Sequence, residues 1–279
     1  MTQFARILSL IAATLLTLPT AVPALASNHK SNADLMEISR MQLLPGWMRD
    51  DGWYMAAIQI DMAPGWKTYW REPGSGGIAP EFDWSGSRNL AQISYFWPAP
   101  QLYEAYGTRT IGYKNRLVLP VLLKPRNPGQ AIDAQLTVDY GVCDDICVPV
   151  RSSGGQLLAA GPVANQDMIG HSVALRPRSG RAAGLTAATC TLERSGNDVV
   201  ITARLAFASA VADVQMAIVE TGSPTMWASD ADYRRDGSAI IVQADLGSLS
   251  DGPITLDRGR LRFTLIGAND AIDIQGCAG

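Results

Sequence analysis

The stretch VDYGVCDDICVPV, residues 138–150, carries the strongest signal for the fold and raises the question of function. β-Branched and aromatic residues lie on both sides of the short segment Asp144-Asp145-Ile146, a pattern typical of a β-hairpin. Cys143 and Cys147 stand at the two ends of this segment, separated by three residues. Spacing alone is compatible with three roles for the pair: a structural disulfide that staples the hairpin, part of a metal site, or a redox centre.

The N-terminus predicts export of the chain. Arg6 precedes an apolar run over residues 7–18, which is too short to span a bilayer, and the run leads to the small-residue sequence Ala24-Leu25-Ala26. We therefore expect residues 1–26 to be a cleaved signal peptide and the mature chain to reside in a bacterial periplasm. No later segment approaches the roughly 18 consecutive apolar residues of a membrane helix, so we expect no membrane insertion.

Composition predicts two domains in the mature chain. About 250 residues remain after the signal, enough for two ordinary domains. Tryptophan is concentrated between residues 47 and 97, and the C-terminal third contains only Trp227. Residues 161–184 combine Pro, Gly and basic residues without strand alternation, as in a linker with one short helix. We predict domains over residues 27–160 and 185–279.

Both predicted domains consist of short strands separated by Gly, Pro and Asn turns. This spacing favours an all-β fold class with two immunoglobulin-like antiparallel β-sandwiches after the signal peptide. The predicted strands cover residues 54–61, 93–96, 117–123, 136–140, 147–151, 199–207, 214–219, 239–244, 261–266 and 271–275.

The four cysteines separate into two pairs. Cys190 and Cys277 lie near the start and end of the second domain, where a disulfide would stabilise the fold by roughly 4.6 kcal/mol. A bridge between Cys143 and Cys147 closes a much shorter loop and would contribute only about 2 kcal/mol. We expect the long bridge to be structural and the short bridge to be the more readily reduced.

The residues around the short pair make it a slow thiol centre. A hairpin offers no helix dipole, and Asp144 and Asp145 disfavour a thiolate. Exchange then requires a docked partner that supplies positive potential. Zinc normally requires four ligands, and the only histidines, His29 and His171, are distant in sequence, so we expect no metal site. A structural staple stays open at this point.

Other classes of function find less support. The formal net charge of −3 and the absence of a Lys/Arg run argue against nucleic acid as a partner. No Gly-x-Ser-x-Gly motif of a serine hydrolase occurs. Met41, Met48, Met55 and Met62 recur every seven residues, and thioethers suit Cu(I), but no close Met-x-Met cluster accompanies them.

The rival hypothesis is a non-catalytic binding module. Trp66, Tyr69, Trp70 and Trp84 surround the glycine-rich turn at residues 73–77, and exposed aromatic rings on a sandwich could stack on a glycan or a peptide. The alternative is that these rings fill the core, which is the commoner fate of aromatic residues.

Three motifs resemble a known family. VDYGVCDDICVPV, GWKTYWREPGSGGIAPEFDWSG and WPAPQLYEAYGTRTIGYKNRLVLPVLL are similar to the N-terminal periplasmic domain of the DsbD thiol:disulfide interchange proteins. The likeness is strongest to the ScsB branch, which is associated with copper tolerance and has two exported β-sandwich domains. The resemblance covers most of the mature chain, and it is specific in the first domain and weak in the second.

The resemblance implies an electron relay without a bound cofactor. Partners would be thioredoxin-fold periplasmic proteins, with electrons supplied through a membrane domain. Cys143 and Cys147 would be the redox pair, with Cys147 as the reactive sulfur. Around them the family places a cap loop, matched by residues 103–107, and a tyrosine, matched by Tyr69. Glu104 would handle protons, while Tyr106 and Tyr69 would shield the sulfurs.

Two departures from the family pattern affect these expectations. DsbD spaces its cysteines more widely, and its cap has a phenylalanine where this sequence has Ala105. The sequence also reaches Gly279 without a membrane helix or a thioredoxin domain, so electrons would come from a separate membrane donor. Two interpretations stay open: a stand-alone relay module, or a degenerate paralogue that kept the fold.

Overall fold

The computed structural model describes residues 38–74, 76–105, 108–195, 198–211, 213–249 and 256–279. Within these ranges the chain forms mainly antiparallel sheets and a single α-helix, which confirms the predicted all-β class with two immunoglobulin-like sandwiches. The described part has no helix of the length and hydrophobicity needed to cross a membrane. The predicted signal peptide, residues 1–26, lies outside the described residues.

The first sandwich pairs a four-stranded sheet with a six-stranded sheet. The strand order is β1-β2-β8-β5 in one sheet and β10-β9-β3-β7-β6 in the other, where β4 also pairs with β9. The strands are β1 (Ser39–Met48), β2 (Tyr54–Met62), β3 (Lys67–Tyr69), β4 (Glu81–Asp83), β5 (Leu90–Tyr95), β6 (Gln101–Ala105), β7 (Thr108–Lys114), β8 (Arg116–Pro125), β9 (Ile132–Cys143) and β10 (Cys147–Leu158).

Strand β2 lies in the middle of this sandwich and is buried on both faces. Its inner face, which includes Ile58 and Ile60, packs in the sandwich core. Its outer face packs at Met55 and Ala57 against Ile169 of helix α1 (Gln166–Ala174). Because both faces are covered, the strand is almost continuously apolar instead of alternating.

The second sandwich follows the same plan. One sheet has the order β11-β19-β18-β14, and the other has the order β12-β13-β17-β15, where β16 also pairs with β17. The strands are β11 (Arg178–Ser179), β12 (Leu185–Ser195), β13 (Asp198–Phe207), β14 (Met216–Glu220), β15 (Met226–Ala228), β16 (Asp232–Asp236), β17 (Ala239–Ser248), β18 (Arg262–Ile266) and β19 (Ala271–Gln275).

The segment predicted as a linker, residues 161–184, is ordered in the structure. It contains α1 and also β11, which pairs in parallel with β19 of the second sandwich. The domain boundaries given above stay a prediction.

A disulfide joins Cys190 of β12 to Cys277, which follows β19. It therefore connects the two sheets of the second sandwich. The backbone N–H of Cys190 also donates to the carbonyl oxygen of Ala278 at 2.7 Å, so the C-terminal segment is hydrogen-bonded beside β12.

The two sandwiches meet through an ion pair and apolar contacts. Arg71 donates from Nε and Nη2 to the two carboxylate oxygens of Glu220, at 2.8 and 2.9 Å, and its guanidinium lies 3.9 Å from the centre of the Trp70 ring. The side chains of Met216 and Ile218 join the core of the first sandwich. Burial and the nearby Glu220 raise the pKa of Glu72 to about 7, so this interface also contains a partly protonated carboxyl group at neutral pH.

Candidate redox site

The hairpin of β9 and β10 holds the cysteine pair at its tip. Cys143 and Cys147 are paired in the strand register and joined by a disulfide. The N–H of Asp144 donates to the carbonyl oxygen of Ile146 at 3.1 Å, which closes the turn. Cys143 is only 4% exposed, whereas Cys147 is exposed to solvent. An incoming sulfur can therefore reach Cys147 far more easily than Cys143.

Strand β3 places a tyrosine hydroxyl on the disulfide. Lys67 of β3 is opposite Cys143 of β9, and because side chains alternate along a strand, Lys67 and Tyr69 share the face of Cys143. Tyr69 Oη lies 2.7 Å from Cys143 Sγ and 3.3 Å from Cys147 Sγ. A disulfide sulfur has no proton to give, so the hydroxyl is the donor. Tyr69 therefore contacts both sulfurs, but the buried one more closely.

The Tyr69 ring fits because two neighbouring positions lack a side chain. A Cβ at Gly141 would lie 3.0 Å from Tyr69 Cε2, and a Cβ at Gly77 would lie 2.8 Å from Tyr69 Cδ1. The glycine-rich turn thus packs against the tyrosine. Burial raises the pKa of Tyr69, so its hydroxyl remains protonated and able to donate at neutral pH.

Lys67 adds a positive charge that sequence reasoning missed. Its Nζ lies 4.0 Å from the Asp144 carboxylate and 5.7 Å from the centre of the Tyr103 ring. This ammonium group offsets part of the negative charge of the turn that carries the cysteine pair. Its position two residues before Tyr69 was visible in the sequence, but its pairing with Cys143 depends on the register of strands far apart in the chain.

The cap segment lies on β6 and β7 and is only partly described. Glu104 is exposed and lies opposite Arg109 in the strand register. Glu104, Cys143 and Cys147 all lie within the described ranges, and no hydrogen bond joins Glu104 to either sulfur. Tyr103 donates from its hydroxyl to Gln101 Oε1 at 2.7 Å, and burial raises the pKa of Tyr103 to about 12. Tyr106 lies outside the described residues, so its predicted shielding role stays a prediction.

The aromatic residues near the glycine-rich turn fill the first sandwich. Trp70 is fully buried, Trp84 and Tyr69 are at least nine-tenths buried, and Trp84 Nε1 donates to Tyr95 Oη at 2.9 Å. Trp66 is partly buried against the same core. Buried rings offer little surface for stacking on a glycan or a peptide, so the binding-module hypothesis loses its main support.

Most of the methionines that recur every seven residues lie in the interior of the first sandwich. Met41, Met55 and Met62 are buried apolar side chains of β1 and β2. Among the residues that the structure describes, no three His, Cys, Asp or Glu side chains are grouped closely enough to hold a metal ion.

Removal of the Tyr69 hydroxyl is expected to raise the pKa of the Cys143 thiol. In a Cys147→Ser background, Tyr69→Phe deletes a hydrogen bond to the thiolate of about 1.5–3 kcal/mol, which corresponds to roughly one to two pH units. The rate of alkylation of Cys143 as a function of pH measures this shift. Tyr103→Phe is the matched control, since its hydroxyl binds Gln101 and neither sulfur. Identical titration curves for the two variants would refute a role for Tyr69 in stabilising the thiolate.

Comparison with known proteins finds one matching family, which covers the first sandwich, and a solved structure that aligns with most of the chain. Residues 40–157 match the family described as "Thiol:disulfide interchange protein DsbD, N-terminal". No curated protein matches the chain. The crystal structure of the N-terminal periplasmic domain of ScsB from Proteus mirabilis aligns with a TM-score of 0.58 and 20% identity, covering 86% of this chain and 92% of that chain. The reduced N-terminal domain of Neisseria meningitidis DsbD aligns with a TM-score of 0.26 and 16% identity, covering 44% of this chain and 87% of that chain.

The family match begins in β1 and ends in β10, so it includes the hairpin, both of its cysteines and Tyr69. The alignment with the ScsB structure extends over most of the chain and supports the same fold for it. The match therefore assigns residues 40–157, which form the first sandwich, to the family of N-terminal domains of DsbD thiol:disulfide interchange proteins.

Proposed function

We propose that the chain relays two electrons through the Cys143/Cys147 pair, as a thiol:disulfide interchange protein. The observation that carries this proposal is the asymmetry of the pair. Cys147 is exposed at the tip of a hairpin, and Cys143 is buried beneath a tyrosine hydroxyl that can stabilise its thiolate. A purely structural bridge needs neither the exposed sulfur nor the donor on the buried one.

Reduction of the pair begins at Cys147. A thiolate of a reduced partner attacks Cys147 Sγ, a mixed disulfide forms, and the Cys143–Cys147 bond breaks with Cys143 leaving as a thiolate. The Tyr69 hydroxyl stabilises that leaving group. The second thiol of the partner then attacks the mixed disulfide and releases Cys147, so the partner ends as a disulfide and this chain as a dithiol.

Delivery of the electrons is the same sequence in reverse. Cys147 attacks the disulfide of an oxidised partner, and Cys143 resolves the mixed disulfide by attack on Cys147 Sγ. Two electrons and two protons leave the chain with the partner's new dithiol, and no bound cofactor takes part. The relay is therefore a property of the two cysteines and the side chains around them.

The proposed partners are thioredoxin-fold proteins of the periplasm, recharged by a separate membrane donor. Exposed Ile146 and Cys147 at the hairpin tip support docking of such a partner, because an apolar side chain beside the sulfur can be buried on contact. Family membership supports the same partners and compartment. A contribution to copper tolerance would follow from keeping the thiols of those partners reduced.

Thiol trapping with mass spectrometry tests the proposed function. The purified chain is incubated with a reduced thioredoxin-fold protein, alkylated and digested. We expect Cys143 and Cys147 to become alkylated while the Cys190–Cys277 disulfide survives. Glutathione at the same thiol concentration is the control and should open the hairpin bond more slowly. A hairpin bond that resists several thioredoxin-fold reductants would return the binding-module hypothesis to first place.

A further inference from the structure

A cleft between the two sandwiches lies apart from the sulfurs and has no role in the proposed relay. Its volume is about 870 Å³, and its walls come from the end of β5, from the segment that joins α1 to β12, and from β18 and β19. Tyr95, Phe96 and Trp97 form an aromatic part of the lining. This volume is in the range of clefts that hold small organic ligands.

The cleft is lined by more positive than negative charge. Five arginines, Arg71, Arg176, Arg178, Arg181 and Arg262, line it together with the carboxylate of Asp273. Three of them already have a carboxylate partner, in the ion pairs Arg71–Glu220, Arg178–Asp270 and Arg262–Asp273. Arg176 and Arg181 form no ion pair with any residue in the described ranges.

Arg176 is held in place by contacts that leave its outer nitrogens free to bind. Its guanidinium lies 4.7 Å from the centre of the Phe96 ring, and its Nε donates to the carbonyl oxygen of Val173 at 3.0 Å. No hydrogen bond to another described residue occupies its two terminal nitrogens. A planar guanidinium fixed in this way presents paired donors to a carboxylate or a phosphate.

Arg181 projects from a turn whose backbone is tied down. The N–H of Gly184 donates to the carbonyl oxygen of Arg181 at 3.0 Å, and the N–H of Ala182 donates to Ser179 Oγ at 3.2 Å. The turn also packs closely, since a Cβ at Gly180 would lie 2.9 Å from Leu185 and 3.0 Å from Ile274. The second unpaired cation is therefore carried on a fixed backbone.

From these contacts we infer that the cleft binds a small organic anion with at least two acidic groups, one for Arg176 and one for Arg181. Guanidinium groups recognise carboxylate and phosphate by the same paired hydrogen bonds, and the aromatic wall suits the carbon skeleton between the two groups. The net charge of the whole chain is −3, so the positive cleft is a local feature and not part of a basic surface.

Calorimetric titration at low ionic strength tests this inference with three probes: citrate, pyrophosphate and the neutral disaccharide trehalose. We expect saturable binding of citrate, pyrophosphate or both, and none of trehalose. Binding of citrate alone assigns the site to carboxylates, and binding of pyrophosphate alone assigns it to phosphates. Because the guanidinium groups are exposed, affinity should fall as salt is added.

Substitution of the two unpaired arginines provides the decisive comparison. Arg176→Gln/Arg181→Gln should weaken anion binding at least ~10-fold, since both charge-assisted contacts are lost. Arg40→Gln/Arg194→Gln removes the same charge from exposed positions that do not line the cleft, and should bind as the unsubstituted chain does.

Arg181→Glu, a single exposed change, gives a second test should the double variant unfold. Equal binding by all variants, or no binding of either anion by the unsubstituted chain, would overturn the inference. Thiol exchange at Cys147 should be the same in every variant, which separates this site from the relay.

Discussion

Cys147→Ser is expected to abolish mixed-disulfide formation with thioredoxin-fold partners, whereas Cys143→Ser is expected to trap it. In the first variant the remaining sulfur, Cys143, is only 4% exposed and cannot be reached by a partner's disulfide. In the second, the exposed Cys147 can still attack, but no neighbouring thiol is left to resolve the product. The two variants differ from each other only in which sulfur remains.

Non-reducing electrophoresis and intact mass measure this difference after mixing each variant with an oxidised partner. The expected product in the Cys143→Ser sample has the summed mass of the two proteins and disappears on reduction. A variant lacking both cysteines serves as the background. Comparable adduct in the Cys147→Ser sample would show that exposure does not select the attacking sulfur and would reverse the roles of the two cysteines.

Loss of the Cys190–Cys277 bridge is expected to have the largest effect on stability. Cys190→Ala/Cys277→Ala releases a loop with a sequence separation of 87 residues, and the chain-entropy estimate for such a loop is roughly 4.6 kcal/mol. The unfolding transition of the second sandwich should therefore fall by at least about 10 °C, because a domain of this size loses several degrees for each kcal/mol.

Differential scanning calorimetry checks the size of this effect, and the short bridge provides its control. Cys143→Ala/Cys147→Ala opens a loop with a sequence separation of 4 residues and should cost only about 2 kcal/mol. The first double variant should keep full exchange activity at the hairpin, and the second should have none. An unchanged melting temperature without the long bridge would contradict its structural role.

Some elements of the fold were predictable because their signals are local. The hairpin around the cysteines, the alternating strands and the turn residues all lie within a few positions of one another. Strand β1 was missed because Pro45 and Gly46 interrupt its sequence. Pro45 is tolerated because β1 is an edge strand, where a residue without an N–H need not donate to a neighbouring strand. Gly46 lies at an irregularity, where the register with β2 shifts between Pro45 and Trp47. A Cβ at Gly46 would lie 2.3 Å from the carbonyl oxygen of Met55, so only glycine fits there.

The site was predictable to the extent that motifs identify it. The cysteines stood out by their spacing in a predicted hairpin, and Tyr69 by motif likeness. The roles of Lys67 and Gly141 depend on the pairing of β3 with β9, strands that lie more than 70 positions apart along the chain. The contact of Arg71 with Glu220 spans 149 positions and leaves no local trace in the sequence. Side chains that act across strands or between domains become apparent only when the register is known.

The Arg71–Glu220 pair also bears on how such a chain can evolve. Arg71 follows Tyr69 by two residues, and its guanidinium is shared between the Trp70 ring and a carboxylate of the other sandwich. Replacement of either domain by one from a distant relative that lacks the matching residue would leave one member of this partly buried pair without its counter-charge, which is unfavourable. We therefore expect a working exchange of domains between distant relatives to require both positions to be replaced together.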